Sequence, residues 1–529
     1  MSFAAIAAGD AQTAAAAAAM LRAGGSAVDA AVAATFAALL SEPPLINLGG
    51  GGIALVGRGT DIVAYDFMAD MPSRAPYAGM DFYEVEVQFE AATQSFWLGR
   101  ASVAVPGLVA GLHAMHRDYG RLPWPRLLQP AIRLAEEGAV LSPAQAHILA
   151  LLAELYRHDD ALRALFLPDG RPLPAGARVR RPALARTLRL LAEQGPDAFY
   201  RGPIAQAIVA DQQAHGGLIT ADDLAHYQVH RNPPLQRGYR HAQVWLPGLP
   251  SAGGGLVAFT LALLEDHDLH AWPALSPEHV RLLAEAMRLT QHARPHWEDA
   301  GRDASARRAA FFDPAFIAEY RGRLRRALAR ETFSPDEPPE PPHGPYTTHI
   351  SVADFDGLVV SMTVTAGEDA GFIVPGTGIR LNNMLGEADL HPQGFHRLPP
   401  GTRLGTMMTP LLARWETAAG PRYLAVGSGG SSRIRSAVLQ TFSYNFDFGY
   451  DLQQAVDAPR VHYENRVLHL EGGVPPTTAQ ALAAHGYPVN PWPARSMYFG
   501  GAHAITWQAA QVQAAGDGRR GGVGQVLER

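Results

Sequence analysis

The stretch PYTTHISVADFDGLVVSMTVTAG, residues 345–367, decides how the fold is interpreted. Two runs with the residue types of β-strands, TTHISVAD and LVVSMTVT, flank Asp356-Gly357, which is a strong turn signal. The pattern predicts a β-hairpin. Folding the hairpin around Asp356 pairs positions whose numbers sum to about 712, so Thr347 is expected opposite Thr365.

Thr347 stands where a polar connector meets this hairpin, and its hydroxyl is a candidate nucleophile. A threonine hydroxyl reacts poorly unless a base activates it. If the backbone were cut before Thr347, the residue would carry a free α-amino group with a pKa of about 7.7–8.0, which suits a base near neutral pH. The hairpin alone also fits a plainer interpretation, in which Thr347 and Thr348 are β-branched residues that open a strand.

The composition limits the classes of function. The chain has 529 residues, enough for one large core or two ordinary ones. Its formal net charge of -6 gives no field that attracts polyanions, so nucleic acid is not an expected partner. The absence of cysteine excludes disulfides, thiolate metal sites and cysteine nucleophiles, and the 21 histidines show no tight ligand spacing. We therefore expect no metal, no cofactor, and an oxygen or nitrogen nucleophile.

The N-terminal stretch MSFAAIAAGDAQTAAAAAAMLRAGG lacks the basic start and strongly apolar centre of a signal peptide. No run of the sequence approaches the roughly 18 apolar residues of a membrane span. These features predict no membrane association and a cytoplasmic location, or a periplasmic one if a leader has been removed.

Helix and strand signals occur in blocks along the chain. Residues 11–40 predict two small-residue helices separated by Gly24-Gly25, and NLGGGGIALVGRGTDIVAYDF predicts a strand pair after a glycine run. Helical periodicity dominates residues 106–191. The proline- and acid-rich stretch 332–345 predicts an exposed tether, and alternating strands follow it. Antiparallel hairpins with segregated helices predict an α+β layered architecture.

The segment GSGGSSR, residues 427–433, joins a glycine turn to a predicted helix, SSRIRSAVLQTFSYNF. Backbone N–H groups at a helix N-terminus stabilise negative charge, so this turn is a candidate oxyanion site with Gly430 and Ser431 as donors. A tight turn with Ser431 or Ser432 as the helix N-cap fits the same residues. The two interpretations are compatible, because a cap and an anion site use the same end of a helix.

Together, TTHISVADFDG, LNNMLGEADL and GSGGSSRIRSAVLQ resemble the γ-glutamyltranspeptidase family of N-terminal-nucleophile hydrolases. LRAGGSAVDAAVAA, NLGGGGIALV and LAEAMRLTQHARPHW resemble segments of the family's large subunit, in the family's order, so the resemblance covers nearly the whole chain. It implies a precursor that cuts itself between Tyr346 and Thr347. The two fragments, 1–346 and 347–529, would stay associated in one four-layer αββα sandwich.

The resemblance also implies catalytic roles. Thr347 attacks an amide carbonyl to give an acyl-enzyme, which water or an amine acceptor resolves, and Thr365 hydrogen-bonds the nucleophile. Gly430 and Ser431 hold the oxyanion. The expected partners are a small amide substrate and the two fragments of the same precursor, with a homo-oligomer left open.

Several substrate-binding positions depart from the family pattern. This chain has Met68 where the family has an arginine after Asp-Phe, and Gly367 where the family has an asparagine two residues beyond the second threonine. It has Met384 where the family has a glutamine after Asn-Asn. The residues that match the other substrate-binding positions are Asn383, Glu387, Gly405 and Thr406. By the resemblance, Glu387 takes the place of the acid that holds the substrate's α-amino group. The two methionines predict a pocket wall suited to an uncharged or apolar acyl group.

Three functions remain open from the sequence. The first is an autoprocessing hydrolase or acyltransferase that cleaves or transfers γ-glutamyl amides such as glutathione. The second is an acylase for a different acyl amide, of the cephalosporin or glutaryl type. The third is a binding or scaffold protein that keeps the fold and is not cut. The segment 388–402, which follows Glu387, fits either a lid or an ordinary surface loop.

Overall fold

A computed structural model describes residues 2–88, 93–299, 301–333, 347–391, 393–509 and 511–529. Most of the predicted tether and Tyr346 lie outside these ranges. The strands are β1 (Phe3–Ala8), β2 (Gly51–Arg58), β3 (Asp61–Asp66), β4 (Tyr83–Gln88), β5 (Thr93–Leu98), β6 (Ala139–Val140), β7 (Arg178–Val179), β8 (His230–Asn232), β9 (Leu235–Tyr239), β10 (Ala242–Leu246), β11 (Thr348–Ala353), β12 (Val359–Thr365), β13 (Ile373–Val374), β14 (Ile379–Arg380), β15 (Leu411–Thr417), β16 (Gly420–Gly429), β17 (Val461–Glu464), β18 (Val467–Leu470), β19 (Val489–Pro491), β20 (Gly501–Gln508), β21 (Gln511–Ala515) and β22 (Val523–Glu528). The α-helices are α1 (Ala11–Arg22), α2 (Ala27–Ser41), α3 (Leu108–Tyr119), α4 (Trp124–Glu137), α5 (Pro143–Leu151), α6 (Asp160–Phe166), α7 (Pro182–Gln194), α8 (Asp197–Tyr200), α9 (Pro203–Ala214), α10 (Ala221–Ala225), α11 (Ala252–Leu264), α12 (Pro277–Trp297), α13 (Ala304–Phe311), α14 (Pro314–Ala329), α15 (Arg433–Phe446), α16 (Leu452–Asp457) and α17 (Pro476–Ala484).

Two antiparallel sheets form the centre of the fold. The first has seven strands in the order β22-β1-β11-β12-β2-β3-β8, and the second has six in the order β21-β20-β16-β15-β10-β9. Neighbouring strands run antiparallel throughout both described sheets. The hairpin prediction is therefore confirmed, and a doubly wound parallel sheet is excluded.

The two sheets pack face to face and helices cover both outer faces. Strand β11 of the first sheet lies against β16 and β20 of the second, and apolar side chains such as Leu55, Trp245 and Ile505 fill part of the space between the sheets. Helices α1, α2 and α3 pack on the first sheet, while α11, α15 and α16 pack on the second. This helix–sheet–sheet–helix order confirms the predicted α+β fold with four αββα layers.

The alanine-rich segment near the N-terminus forms two helices, as predicted. Asp10 caps α1 by accepting a hydrogen bond from the Gln12 N–H at 2.8 Å. Ser26 and Asp29 form a reciprocal capping box at the start of α2, which is buried along its whole length. Small side chains allow this close packing. None of the described helices combines the length and apolar content needed to cross a bilayer.

The predicted hairpin consists of β11 and β12. Its register pairs Thr348 with Val364, and one further step along the same register brings Thr347 beside Thr365. Strand β2 pairs with the other edge of β12. A Cβ atom on Gly50 would lie 2.3 Å from the Thr365 carbonyl oxygen, so only glycine fits this close approach.

Candidate active site

A small pocket, with a cavity volume of about 30 Å³, opens beside the start of β11. Its hydroxyl-bearing lining residues are Thr347, Thr365, Thr406 and Ser431. Its acidic lining residues are Glu368, Glu387 and Asp389. Its apolar lining residues are Met68, Leu390, Met407, Met408 and Ile434. Within the described ranges, no basic side chain lines this pocket. The pocket therefore brings a candidate nucleophile together with a group of acids.

Thr347 and Thr365 lie together at the inner end of the pocket. Their residues are only 6% and 7% exposed, so both hydroxyls are largely shielded from water. The Gly367 N–H donates to Thr365 Oγ1 at 3.1 Å. A threonine hydroxyl has one proton to donate and two lone pairs, so accepting this bond leaves it able to donate as well.

The turn after β16 presents backbone amides next to Thr347. Gly430 has φ 127° and Ser431 has φ 49°, and neither amide donates a hydrogen bond within the described part of the chain. The Ser431 hydroxyl donates to Asp389 Oδ2 at 3.1 Å. Helix α15 begins at Arg433, and its N-cap residue, Ser432, makes no capping hydrogen bond. Ser432 is therefore the N-cap by position, as one interpretation expects, although its side chain does not cap the helix, and the Gly430 and Ser431 amides fit an oxyanion site.

The acids of the pocket are held close to one another. Asn383 Nδ2 donates to Glu368 Oε2 at 3.0 Å, and the enclosed Oε1 of Glu387 has no hydrogen-bond partner in the described structure. Burial, with a contribution from Asp389, raises the pKa of Glu368 to about 7. Burial and then the charge of Glu368 raise the pKa of Glu387 well above its usual value. Despite these acids, no cluster of three metal-ligating side chains occurs among the described residues.

The four predicted substrate-binding residues occupy different positions. Glu387 and Thr406 line the pocket. Asn383 is fully buried behind Glu368, and Gly405 is not among the described lining residues. The structure thus brings two of the four to the pocket and places Asn383 where it can orient an acid that does line it.

The two methionines that replace family substrate-binding residues lie in different environments. Met68 lines the pocket, but Met384 is fully buried in the neighbouring core. Met407 and Met408 add further apolar surface. The pocket wall therefore combines methionines with acids, whereas Met68 and Met384 led us to expect a wall suited to an uncharged or apolar acyl group.

Gly367 leaves room for the acidic side of the pocket. Its φ is 65°, and a Cβ atom there would lie 2.2 Å from Asn383 Oδ1 and 2.7 Å from Glu387 Oε1. A side chain at this position would displace both groups. The glycine in place of the family's asparagine is thus linked to the present positions of Asn383 and Glu387.

The sequence analysis missed two of the pocket acids, Glu368 and Asp389. Each lies within two residues of a position that had been identified, Gly367 and Glu387 respectively. An acid beside a substrate-binding position is the signal that could have found them. Their orientation into the pocket depends on the tertiary structure.

A third missed acid, Glu42, lies behind the nucleophile strand. It accepts hydrogen bonds from Thr348 Oγ1 and Thr13 Oγ1, both at 2.6 Å, and it is fully buried. Burial, and then the charge of Asp10, raise its pKa to about 7. No local sequence signal indicates this contact, because Glu42 and Thr348 are 306 residues apart.

His349 lies between the two sheets, two residues after Thr347. Its Nδ1 is 2.8 Å from Thr363 Oγ1 and its Nε2 is 2.9 Å from Ser351 Oγ. Burial, and then His503, hold its pKa well below the usual value. A neutral imidazole with both nitrogens engaged is suited to structural support and not to acting as the base for Thr347.

The segment 388–402 is attached to the pocket wall. Leu390 lines the pocket, His391 Nε2 is 3.0 Å from the Met384 carbonyl oxygen, and His396 Nε2 is 2.8 Å from the Ala101 carbonyl oxygen. Residue 392 lies outside the described ranges. The described part of the segment thus rests on the protein through specific contacts.

Comparison with known proteins identifies the family of this chain. The Gamma-glutamyltranspeptidase family model matches residues 13–527. The Acylase ACY 1 proenzyme of Pseudomonas sp. (strain V22) is 35% identical over 469 residues, which cover 85% of this chain and 80% of that protein. The Glutathione hydrolase proenzyme of Escherichia coli (strain K12) is 30% identical over 465 residues, which cover 85% of this chain and 79% of that protein. The crystal structure of cephalosporin acylase from Bacillus halodurans has a TM-score of 0.82 and 27% identity, and the match covers 99% of this chain and 96% of that one. The chain therefore belongs to the γ-glutamyltranspeptidase family.

Proposed function

We propose that this protein is an autoprocessing amide hydrolase and acyltransferase whose nucleophile is the Thr347 hydroxyl. Membership of the family makes the chain an enzyme of the N-terminal-nucleophile class. Cleavage between Tyr346 and Thr347 divides the precursor into fragments 1–346 and 347–529. One observation carries the proposal: Thr347 lines the pocket, and the β11–β12 register, continued by one step, brings it beside Thr365.

In the mature enzyme, the free α-amino group of Thr347 takes the proton from its own Oγ1, and the oxygen attacks the carbonyl carbon of the substrate amide. The N–H groups of Gly430 and Ser431 donate to the resulting oxyanion. When the C–N bond breaks, the protonated α-amine returns its proton to the leaving amine. Water or an acceptor amine then attacks the acyl-enzyme ester in the same way and releases Thr347.

Thr365 supports the nucleophile in this scheme. Its oxygen accepts the Gly367 N–H at 3.1 Å, which favours donation of its own proton toward the Thr347 oxygen. Such a donor stabilises the developing alkoxide before the oxygen bonds to carbon. His349 is not needed as a base, because its two ring nitrogens are already engaged.

The two fragments remain one body after cleavage in this proposal. Strand β11 of the second fragment pairs with β1 of the first, and β12 pairs with β2. Separating the fragments would break these ladders and expose the apolar interior of both sheets. The cut therefore frees the α-amino group without dismantling the site.

Two classes of acyl donor are candidates. γ-Glutamyl amides are favoured by the family and by Glu387, which lines the pocket at the position of the α-amino contact. An acylase that takes a different acyl group is favoured by Met68, which lines the pocket where the family has an arginine. The relatives include proteins named for both activities.

The proposal is tested by expressing the wild-type chain beside Thr347→Ala and Thr347→Ser. A denaturing gel of the wild type should show two fragments, and sequencing of the smaller one should begin Thr-Thr-His-Ile. The alanine variant should remain uncut and inactive on every amide, while the serine variant keeps a hydroxyl and part of both activities. A wild-type chain that stays whole and inactive would support the binding or scaffold alternative instead. Turnover by Thr347→Ala would exclude Thr347 as the nucleophile.

A further inference from the structure

Among the described residues, the charged side chains that line the pocket are all acidic. Glu368, Glu387 and Asp389 line the pocket, and within the described ranges no basic side chain does. The chain contains no lysine, so arginine is its only permanently cationic side chain. The family's arginine position carries Met68, which also lines the pocket.

The arginines of the adjoining segments are engaged elsewhere. Arg403 pairs with Asp66 at 3.1 Å and with Asp70 at 2.6 Å. Arg433, which follows the glycine turn, lies 3.9 Å from Glu464. Moving either guanidinium into the pocket would take it away from these acids.

Cleavage adds one cationic group, the α-amine of Thr347. In the proposed mechanism this amine must be uncharged when it takes the hydroxyl proton, so it provides no standing positive charge for a substrate. A substrate carboxylate in this pocket would therefore find no fixed cation among the described lining residues and would oppose the ionisation of the acids.

The acids are instead arranged to receive a hydrogen-bond donor. Asn383 holds Glu368 from behind at 3.0 Å, and the Ser431 hydroxyl holds Asp389 at 3.1 Å. The enclosed Oε1 of Glu387 has no partner among the described residues. A protonated amine offers three N–H donors and a positive charge, so it satisfies the unpaired oxygen and offsets the mutual repulsion of the acids.

We propose that the acyl pocket selects donors whose acyl chain carries a protonated amine and no carboxylate, and that Glu368 and Asp389 set this preference together with Glu387. The proposal rests on the proposed function of Thr347 and names the substrate class of that site. It differs from γ-glutamyl recognition, which needs both charged groups, and from glutaryl recognition, which needs only the carboxylate.

Four anilides separate these possibilities in a two-by-two design. γ-Glutamyl-p-nitroanilide carries both groups, 4-aminobutyryl-p-nitroanilide only the amine, glutaryl-p-nitroanilide only the carboxylate, and butyryl-p-nitroanilide neither. We expect kcat/KM of the mature enzyme for the aminobutyryl compound to exceed that for the butyryl and glutaryl compounds by at least about 10-fold. Adding the carboxylate, as in the glutamyl compound, should lower kcat/KM.

Variants that remove the charge of one acid show which residues set the preference for a protonated amine. Asp389→Asn and Glu368→Gln should each reduce the ratio of aminobutyryl to butyryl kcat/KM several-fold. Asp389 is partly exposed, so its variant tolerates the change even if Glu368→Gln disturbs folding. Asp356→Asn, at the exposed turn of the β11–β12 hairpin, is the matched control and should leave all four rates unaltered.

A higher kcat/KM for the glutaryl or glutamyl compound would overturn the inference, as would ratios that stay unchanged in both pocket variants. Hydrolysis of none of the four compounds by a self-cleaved chain would also overturn it. These outcomes leave the proposed function standing, because that function fails only if the chain does not cleave itself or if Thr347→Ala retains activity.

Discussion

Asn383 and Glu368 are joined by two hydrogen bonds. The Asn383 amide nitrogen donates to Glu368 Oε2 at 3.0 Å, and the Glu368 N–H donates to Asn383 Oδ1 at 2.8 Å. Asn383 is fully buried, so it shapes the pocket through the acid in front of it. This pair places a residue that matches a family substrate position behind the pocket, in contact with an acid that lines it.

Replacing Asn383 by alanine should therefore act through Glu368. The carboxylate loses a donor, so its pKa rises further and the ionised form becomes rarer near neutral pH. We expect kcat/KM for 4-aminobutyryl-p-nitroanilide to fall roughly 10-fold, with a loss of about 1–3 kcal/mol in stability from the broken hydrogen bonds. Steady-state kinetics between pH 6 and 9 should show the optimum moved to higher pH. An unchanged pH profile would contradict the linkage.

Removing the Thr365 hydroxyl should slow catalysis. Thr365→Val keeps the β-branched shape but loses the proton that is proposed to reach the Thr347 oxygen. A hydrogen bond to a charged group contributes about 1.5–3 kcal/mol, which predicts a fall of roughly 10- to 100-fold in self-cleavage rate and in kcat. Thr417→Val, at the β15–β16 turn, is the control. Equal rates in the two variants would exclude the proposed role of Thr365.

Introducing an arginine at Met68 should change the donor preference. The side chain lines the pocket, and a guanidinium there supplies the cation that a substrate carboxylate needs. We expect Met68→Arg to raise kcat/KM for γ-glutamyl-p-nitroanilide relative to the aminobutyryl compound by at least about 10-fold. Met80→Arg, at a partly exposed methionine that does not line the pocket, is the matched control. The same relative rates in both variants would show that the charge at position 68 does not reach the substrate.

Gly429 is predicted to be essential for maturation. A Cβ atom there would lie 2.0 Å from the Thr347 carbonyl oxygen, so Gly429→Ala must displace either the nucleophile or the glycine turn. We expect uncut precursor on a denaturing gel and loss of amide hydrolysis. Gly238→Ala, in a strand position with open space around the new methyl group, should cleave and react normally. Normal cleavage of Gly429→Ala would show that this contact is easily relaxed.

Glu42 should make the stability of the fold depend on pH. Its pKa is raised from 4.5 to about 7 by burial and by Asp10, so the folded protein holds this proton more tightly than the unfolded chain does. Below about pH 4.5 both states are protonated, and between about 4.5 and 7 the unfolded chain alone ionises, so stability falls as the pH rises. The loss is complete above about pH 7 and amounts to about 3 kcal/mol at most.

Urea unfolding of the uncut Thr347→Ala chain at pH 4.5 and pH 8 measures this effect, with and without Glu42→Gln. The glutamine variant should lose less stability over this range, because it has no proton to release. Glu193→Gln, at an exposed position on α7, should follow the parent chain. Parallel pH curves for Glu42→Gln and its parent would contradict the prediction.

The sequence by itself determined the elements that local chemistry specifies. The Asp356-Gly357 turn and the flanking β-branched runs defined the hairpin, and its register followed because strand side chains alternate between faces. The two alanine-rich helices and the glycine turn were likewise readable from short segments. Thr347 and Thr365 could be paired in this way without any knowledge of the rest of the chain.

Only the tertiary structure decided what surrounds that pair. Met384 turned into the core while Met68 faced the pocket, and Glu368 and Asp389 joined Glu387 in lining it. These outcomes depend on contacts between segments far apart in the chain, in which the available space decides the direction of each side chain. Periodicity and turn signals describe a few neighbouring residues, so they carry no information about such packing.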